Sequence, residues 1–261
     1  MWERNALYKE LKVLQSIPNT SIWIEALPLS SETSWWSENR LLKAGKSGAD
    51  VLKLQKALKN DWGIDVNLTS RYDEKTVKAV KKFQGDSGLE EDGIAGPFTQ
   101  AMIFESNYSF ALPKPVKVQQ NLSTCWAAAY QSALPLWPGR TKMNVAELLN
   151  DFKQFTDSTG AINIAGLKAT ARNFNATVRQ INPIFFKIET VKKALLDTKS
   201  PVILIHFMFG NIGHAEVVFG FEVKKGLPNF LVMDPLLGEH TNLTLAELQN
   251  RGNLMLLVSP N

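Results

Sequence analysis

Two prolines in alternation, in Leu112-Pro113-Lys114-Pro115, constrain this chain more than any other stretch, because they favour extended backbone and break any helix. The segment reads as a boundary, and its two sides are patterned differently. Upstream, Val51, Leu54, Leu58 and Trp62 fall at three- and four-residue steps and predict an amphipathic helix with Asp50 as N-cap. Val77, Val80 and Phe83 predict a second helix, capped by Asp73 or Ser70, and Pro97 opens a third after the turn-rich Asp92–Pro97. Downstream, predicted helices come first: Thr124–Leu134, one through Val145, Leu148, Leu149, Phe152 and Phe155 with Asn144 as cap, Leu167–Phe174 and Ile188–Leu196. Predicted strands follow at Thr177–Ile181, Val202–Met208, His214–Glu222, Phe230–Met233 and Leu254–Val258. Helices grouped ahead of strands indicate an α+β domain with a mostly antiparallel sheet.

The expected organisation is therefore an N-terminal extension over 1–40, a small three-helix module over 41–112 and an α+β domain over 113–261. In the extension, Leu7, Leu11 and Leu14 suggest a short amphipathic helix, and Ile22–Trp36 irregular structure packed on a neighbour. The first ten residues lack the basic, apolar and small-residue parts of a secretory signal. The longest apolar run, Pro201–Gly210, is roughly half of a membrane span. One cysteine excludes an intramolecular disulfide. The net charge of +4 comes from the second part: residues 1–112 hold 14 Lys/Arg against 15 Asp/Glu, and 113–261 hold 15 against 10. That surplus is scattered, without the basic clusters of a nucleic-acid groove, so the reading is a solvated surface and no nucleic-acid partner.

The chemistry centres on that cysteine. A thiol nucleophile needs a setting that favours the thiolate, a histidine as base and acid, a group to orient the histidine, and a donor for the oxyanion. Cys125 starts a predicted helix, just after the capping residues Ser123 and Thr124. Gln119 precedes it by a short loop and can aim its amide at the same carbonyl, as can Gln120 beside it. His214 opens one predicted strand and Asp234 ends the next, so an antiparallel pair sets them side by side. Trp126 is expected to wall the cleft, His206 to be a packed core residue and His240 to lie on a surface turn. One Cys and three His are too few for a convincing metal site, and the chemistry calls for no cofactor.

Two resemblances follow from these residues. The run Gly45–Leu58, then Ala79-Val80-Lys81-Lys82-Phe83-Gln84, Gly88-Leu89 and Asp92-Gly93-Ile94-Ala95-Gly96-Pro97 with Thr99, resembles the bacterial peptidoglycan-binding-like three-helix repeat. The turn such repeats carry before the middle helix reads Thr69-Ser70-Arg71-Tyr72-Asp73-Glu74-Lys75-Thr76 here, keeping only the aromatic and the threonine. The pattern Gln119-x5-Cys125-Trp126, Gly213-His214-Ala215-Glu216 through Phe221, and Val232-Met233-Asp234-Pro235 is similar to papain-like cysteine peptidases of the bacteriocin-processing and effector-protease branch. That resemblance implies a Cys125–His214–Asp234 triad with Gln119 and the Cys125 N–H as oxyanion donors. It further implies a bacterial effector or toxin that leaves the cell without a cleaved signal, waits in the cytoplasm before delivery and cuts a protein or peptide in a target cell. A cognate immunity or delivery protein would be its partner. The rival readings are a peptidoglycan stem-peptide amidase or endopeptidase held on the wall by the module, an acyl transferase or deamidase, and a catalytically silent binding protein.

Overall fold

The computed structural model describes residues 41–183, 186–207, 213–224, 226–252 and 254–261. The expected N-terminal extension lies outside the described residues, as does Met208 at the end of the expected strand Val202–Met208. Two compact units are present: the described part of the first runs to Ser109 and takes in Glu222–Pro228, and the second holds Phe110–Phe221 and Asn229–Asn261.

Among the described residues, three helices build the first unit, α1 (Ala49–Asn60), α2 (Glu74–Asp86) and α3 (Pro97–Ile103). The start of α1 corrects the expected Asp50 cap. Gly48 holds the N-cap at φ 132°, a backbone conformation that glycine alone adopts freely, and Asp50 falls in the first turn, where a carboxylate suits the helix dipole. Asp73 caps α2, accepting the Thr76 N–H at 2.8 Å, and Pro97 is at the start of α3. The apolar stripes meet in a core of Leu54, Leu58, Val80, Phe83, Met102 and Ile103, each about fully buried. Burying one such side chain stabilises by about 1.5–3 kcal/mol.

Two buried glutamines hold the loops between these helices in parallel fashion. Gln55 on α1 accepts the backbone N–H groups of Thr69 and Ser70 at 3.0 Å, and donates to the Arg71 carbonyl at 2.8 Å and the Thr76 hydroxyl at 2.9 Å. Gln84 on α2 accepts the Gly93 N–H at 2.8 Å and donates to Asp92 Oδ1 at 2.7 Å and the Ile94 carbonyl at 3.1 Å. The loop that departs from the repeat's usual turn, Thr69–Thr76, is thus bound by the same device as the loop that keeps it. Loop backbone groups drawn against the core need such partners, and in each loop one amide supplies them.

The second unit holds helices α4 (Cys125–Ala133), α5 (Val145–Asp151), α6 (Ile164–Asn173), α7 (Ile188–Thr198) and α8 (Leu245–Asn250). The strands form a seven-stranded sheet, most of it in this unit: β1 (Tyr108–Ala111), β2 (Ala176–Ile181), β3 (Val202–Phe207), β4 (Gly213–Lys224), β5 (Leu227–Asp234), β6 (Glu239–Thr244) and β7 (Leu254–Pro260). The order is β2-β7-β3-β4-β5-β6, with β1 paired to β4. The pairings β2–β7, β3–β7, β3–β4 and β5–β6 are antiparallel. This is the expected α+β architecture. Strands β3 and β7 lie in the sheet interior and are almost wholly buried, which is why they read as continuous apolar runs rather than alternating ones.

Helix α4, which carries Tyr130, packs in the core between this sheet and its neighbouring helices, with Leu134, Trp137, Leu148, Phe174 and Ile205 around it. Asn144 and Glu147 form a capping box on α5, and Asn163 caps α6 through the Gly166 N–H. Three elements escaped the sequence reading. Strand β1 has four residues, too few to show alternation, and β6 is largely polar. Helix α8 has six residues, but its Thr244–Glu247 capping box is a signature that sequence alone carries. His240, expected on a surface turn, sits on β6 instead. Its Nε2 lies 2.9 Å from the Pro115 carbonyl and its ring meets Phe219 edge-on, so the polar strand pins the proline segment.

Candidate active site

Cys125 is the first residue of α4, and no side chain caps that helix end. The expected capping by Ser123 and Thr124 does not occur. Asn121 Oδ1 accepts the Ser123 and Thr124 N–H groups at 2.9 and 3.1 Å, while the Thr124 hydroxyl donates to Gln120 Oε1 at 2.9 Å. The loop is thereby closed on itself, and the positive end of a nine-residue helix is left facing the sulfur. Cys125 is 3% exposed, with Sγ 3.2 Å from the Leu122 carbonyl and 3.8 Å from that of Gly213, acceptors for the neutral thiol.

His214 begins on β4 one residue after Gly213, and Asp234 closes β5, the adjacent strand. Imidazole Nε2 lies 2.9 Å from Asp234 Oδ1. That carboxylate oxygen also accepts the Leu236 N–H at 2.8 Å, which fixes it at the strand end. With Nε2 committed, the buried Nδ1 is the nitrogen left for the thiol; it has no hydrogen-bond partner among the described residues. Burial pushes the imidazolium down, but the Asp234 hydrogen bond, the Cys125 side chain and the Glu216 charge outweigh it and hold the pKa up at about 10. This setting favours the protonated ring.

Gln119 lies against the turn that follows Asp234. Its Nε2 is 3.5 Å from the Leu236 carbonyl, and a Cβ at Gly238 would meet Gln119 Cβ at 2.8 Å, so a glycine is required there for this approach. The Gln120 backbone N–H donates to the Pro235 carbonyl at 2.8 Å. Both glutamines are thus tied to the β5–β6 turn, and the Gln120 side chain is already engaged by Thr124. Trp126, expected on the cleft wall, is 3% exposed; its indole N–H donates to the Gly160 carbonyl at 2.9 Å and its ring meets Phe152 edge-on. It anchors the 157–161 turn beside Thr124.

Sequence reasoning missed the residues behind the histidine. Glu216 is fully buried on β4, with Oε2 2.9 Å from His206 Nε2, an Arg251 ion pair on Oε1, and His214 Nε2 3.8 Å away. Burial pushes this carboxyl up, but the His206 hydrogen bond and the charges of Arg251 and His214 bring it down to about 2. Period-two spacing sets Glu216 on the same strand face as His214, the one clue available in sequence. His214, Glu216 and Asp234 offer ligand atoms within 4.8 Å of one another. The 2.9 Å His214–Asp234 contact is a direct hydrogen bond, too short to admit an ion between the two, and Glu216 is committed to His206 and Arg251. We read the group as a hydrogen-bonded charge network.

A family model for the peptidoglycan binding domain matches residues 47–103, and one for the papain-like cysteine protease AvrRpt2 matches residues 106–252, more than half of the chain. The second unit is therefore a papain-like cysteine peptidase. More particularly, the chain belongs to the papain-like cysteine protease AvrRpt2 family. A spore cortex-lytic enzyme of Bacillus cereus is 27% identical over 103 residues, a match that takes in 40% of this chain and 39% of that relative. Among solved structures, the peptidase domain of Streptococcus ComA, a bi-functional ABC transporter involved in a quorum sensing pathway, is 17% identical. It covers 57% of this chain and 98% of its own, at a TM-score of 0.41. The SleB N-terminal domain is 33% identical, covering 26% of this chain and 92% of its own, at a TM-score of 0.25. No helix among the described residues is long and apolar enough to cross a membrane.

Proposed function

We propose that Cys125, His214 and Asp234 act as a catalytic triad that hydrolyses an amide bond in a protein substrate, and that the protein is a bacterial effector delivered into a target cell. The observation that carries the catalytic part is the 2.9 Å bond from His214 Nε2 to Asp234, which leaves Nδ1 for the thiol at the start of α4. The thiolate attacks the carbonyl carbon, a C–S bond forms, and the oxyanion is received by the Gln119 amide and the Cys125 N–H. His214 gives its proton to the leaving amine as the C–N bond breaks. It then takes a proton from the water that attacks the thioester, and the thiolate leaves.

Asp234→Asn keeps an acceptor for Nε2 but removes the charge. Because His214 stands at about 10, kcat/KM of the parent should persist to alkaline pH and fall as pH passes that value. In Asp234→Asn this limb should move down by about 1–3 units, since a neighbouring opposite charge raises a histidine by that much. A limb that stays in place would remove the orienting carboxylate from the mechanism.

A second reading is favoured by the module, which matches a peptidoglycan binding domain, and by a relative that is a spore cortex-lytic enzyme. In it the substrate is the peptide stem of peptidoglycan. Expression in bacteria with and without an added export signal, each beside Cys125→Ala, separates the two. Cysteine-dependent growth arrest confined to the cytoplasm supports a protein substrate. Lysis confined to the exported form, with muropeptide release from purified sacculi, would replace it with the cell wall.

A further inference from the structure

We propose that Glu216 is a positioning residue of the active site, a second carboxylate that keeps His214 charged and oriented while His206 and Arg251 hold it in place. This rests on the reading of His214 as acid and base. Glu216 and His214 alternate on β4, so both side chains leave the same face of the sheet. Glu216 Oε1 lies 3.8 Å from the same Nε2 that Asp234 bonds at 2.9 Å, which gives the imidazolium two carboxylates on one side. A fully buried carboxylate would be costly alone, and each of its oxygens has a cationic or hydrogen-bonding partner from another element. His206 reaches Oε2 from β3, at a register position directly opposite His214, and Arg251 reaches Oε1 from the end of α8. The groups facing His214 are then Asp234 from β5, Glu216 from β4 itself and Cys125 from α4. Those facing Glu216 are His206, Arg251 and His214.

The arrangement separates two tasks that one carboxylate would otherwise share. Asp234 also accepts the Leu236 N–H and sits at a strand end, so its geometry is set by the turn. Glu216, in the sheet interior, supplies negative charge held by His206 and Arg251. His206 Nδ1, the far end of that network, is buried without a hydrogen-bond partner among the described residues, so the network ends there.

The test measures His214 directly, by imidazole 15N resonances of the full chain carrying Cys125→Ala, with and without Glu216→Gln. In parallel, kcat/KM is followed against pH for the cysteine-containing pair. Glu216→Gln should lower the His214 midpoint and the alkaline limb together by about 1–3 units. Arg251→Met, which withdraws the opposing charge at a partly exposed position, should move both upward. Opposite shifts from the two variants are not the mark of a generic packing defect, and Arg251→Met keeps the proposal testable if Glu216→Gln fails to fold. An unchanged His214 midpoint in a folded Glu216→Gln protein, or a downward shift in Arg251→Met, would overturn it. If the resonance moves while the catalytic limb does not, Glu216 still controls His214, and the catalytic role assigned to His214 is what fails.

Discussion

Cys125→Ala should lower amide hydrolysis by about four to six orders of magnitude, the range seen when a hydrolase loses its nucleophile but keeps its oxyanion donors and binding cleft. The fold should hardly notice. Cys125 is a small buried residue whose sulfur contacts backbone carbonyls of Leu122 and Gly213, and alanine at the first position of α4 is a good helix former. The melting temperature should stay within a few degrees of the parent. Steady-state hydrolysis of a peptide substrate, alongside a melting curve, reads both quantities. Alkylation by iodoacetamide sharpens the result, because this chain has a single thiol and any modification reports on Cys125 alone. Alkylation of the parent and none of Cys125→Ala is the expected result. Hydrolysis that survives in Cys125→Ala would remove the thiol from the chemistry, however well the histidine and aspartate are placed.

Much of this site was legible because its chemistry demands residue types that are rare here. With one cysteine and three histidines in the chain, order and spacing leave few arrangements to weigh. Two adjacent strands then bring His214 and Asp234, twenty positions apart, to 2.9 Å. Glu216 stands in the histidine's own strand, yet its sequence context gives no sign of its role, because that role lies in Arg251 and His206. Both reach it through sheet pairing and a helix end that no local pattern reveals. Trp126 misled for a related reason: a tryptophan beside the nucleophile suggests a cleft wall, but only tertiary structure shows its indole bonded to Gly160.

The fold divides in the same way. Helices α1, α2, α6 and α7 announce themselves through apolar periodicity, and β3 and β7 through buried runs. Caps are less legible: Asp50 has the side chain of an N-cap, but Gly48 takes that position with a φ of 132°. Before α4 the Thr124 hydroxyl bonds Gln120 and Asn121 within its own loop instead of capping the helix. Local polar preference does not say which of several nearby donors a side chain will choose.

Gln84→Leu should destabilise the helical module. The amide is 2% exposed, and its removal strands the buried Gly93 N–H in the loop between α2 and α3 and takes a donor from Asp92, while the Ile94 carbonyl keeps the Gly96 N–H at 3.0 Å. Leaving a buried backbone group unpaired costs about 1–3 kcal/mol. A module of about sixty residues is stable by roughly 3–9 kcal/mol, so that loss is a sizeable fraction of the whole. Leucine matches the volume and adds apolar surface, but that surface gives the stranded N–H no acceptor. Gly93 can give no ground either: it stands at φ +75°, its carbonyl accepts the Tyr72 hydroxyl at 2.9 Å, and Val77 fills the space beside it. Hydrogen exchange of the full chain, read by mass spectrometry, should show protection lost across 74–103, with Gln55→Leu doing the same around 49–76. Protection unchanged in Gln84→Leu would mean that the apolar core of Leu58, Val80 and Phe83 holds the module without its loops. The parallel between the two glutamines would then be a likeness of shape with little energy behind it.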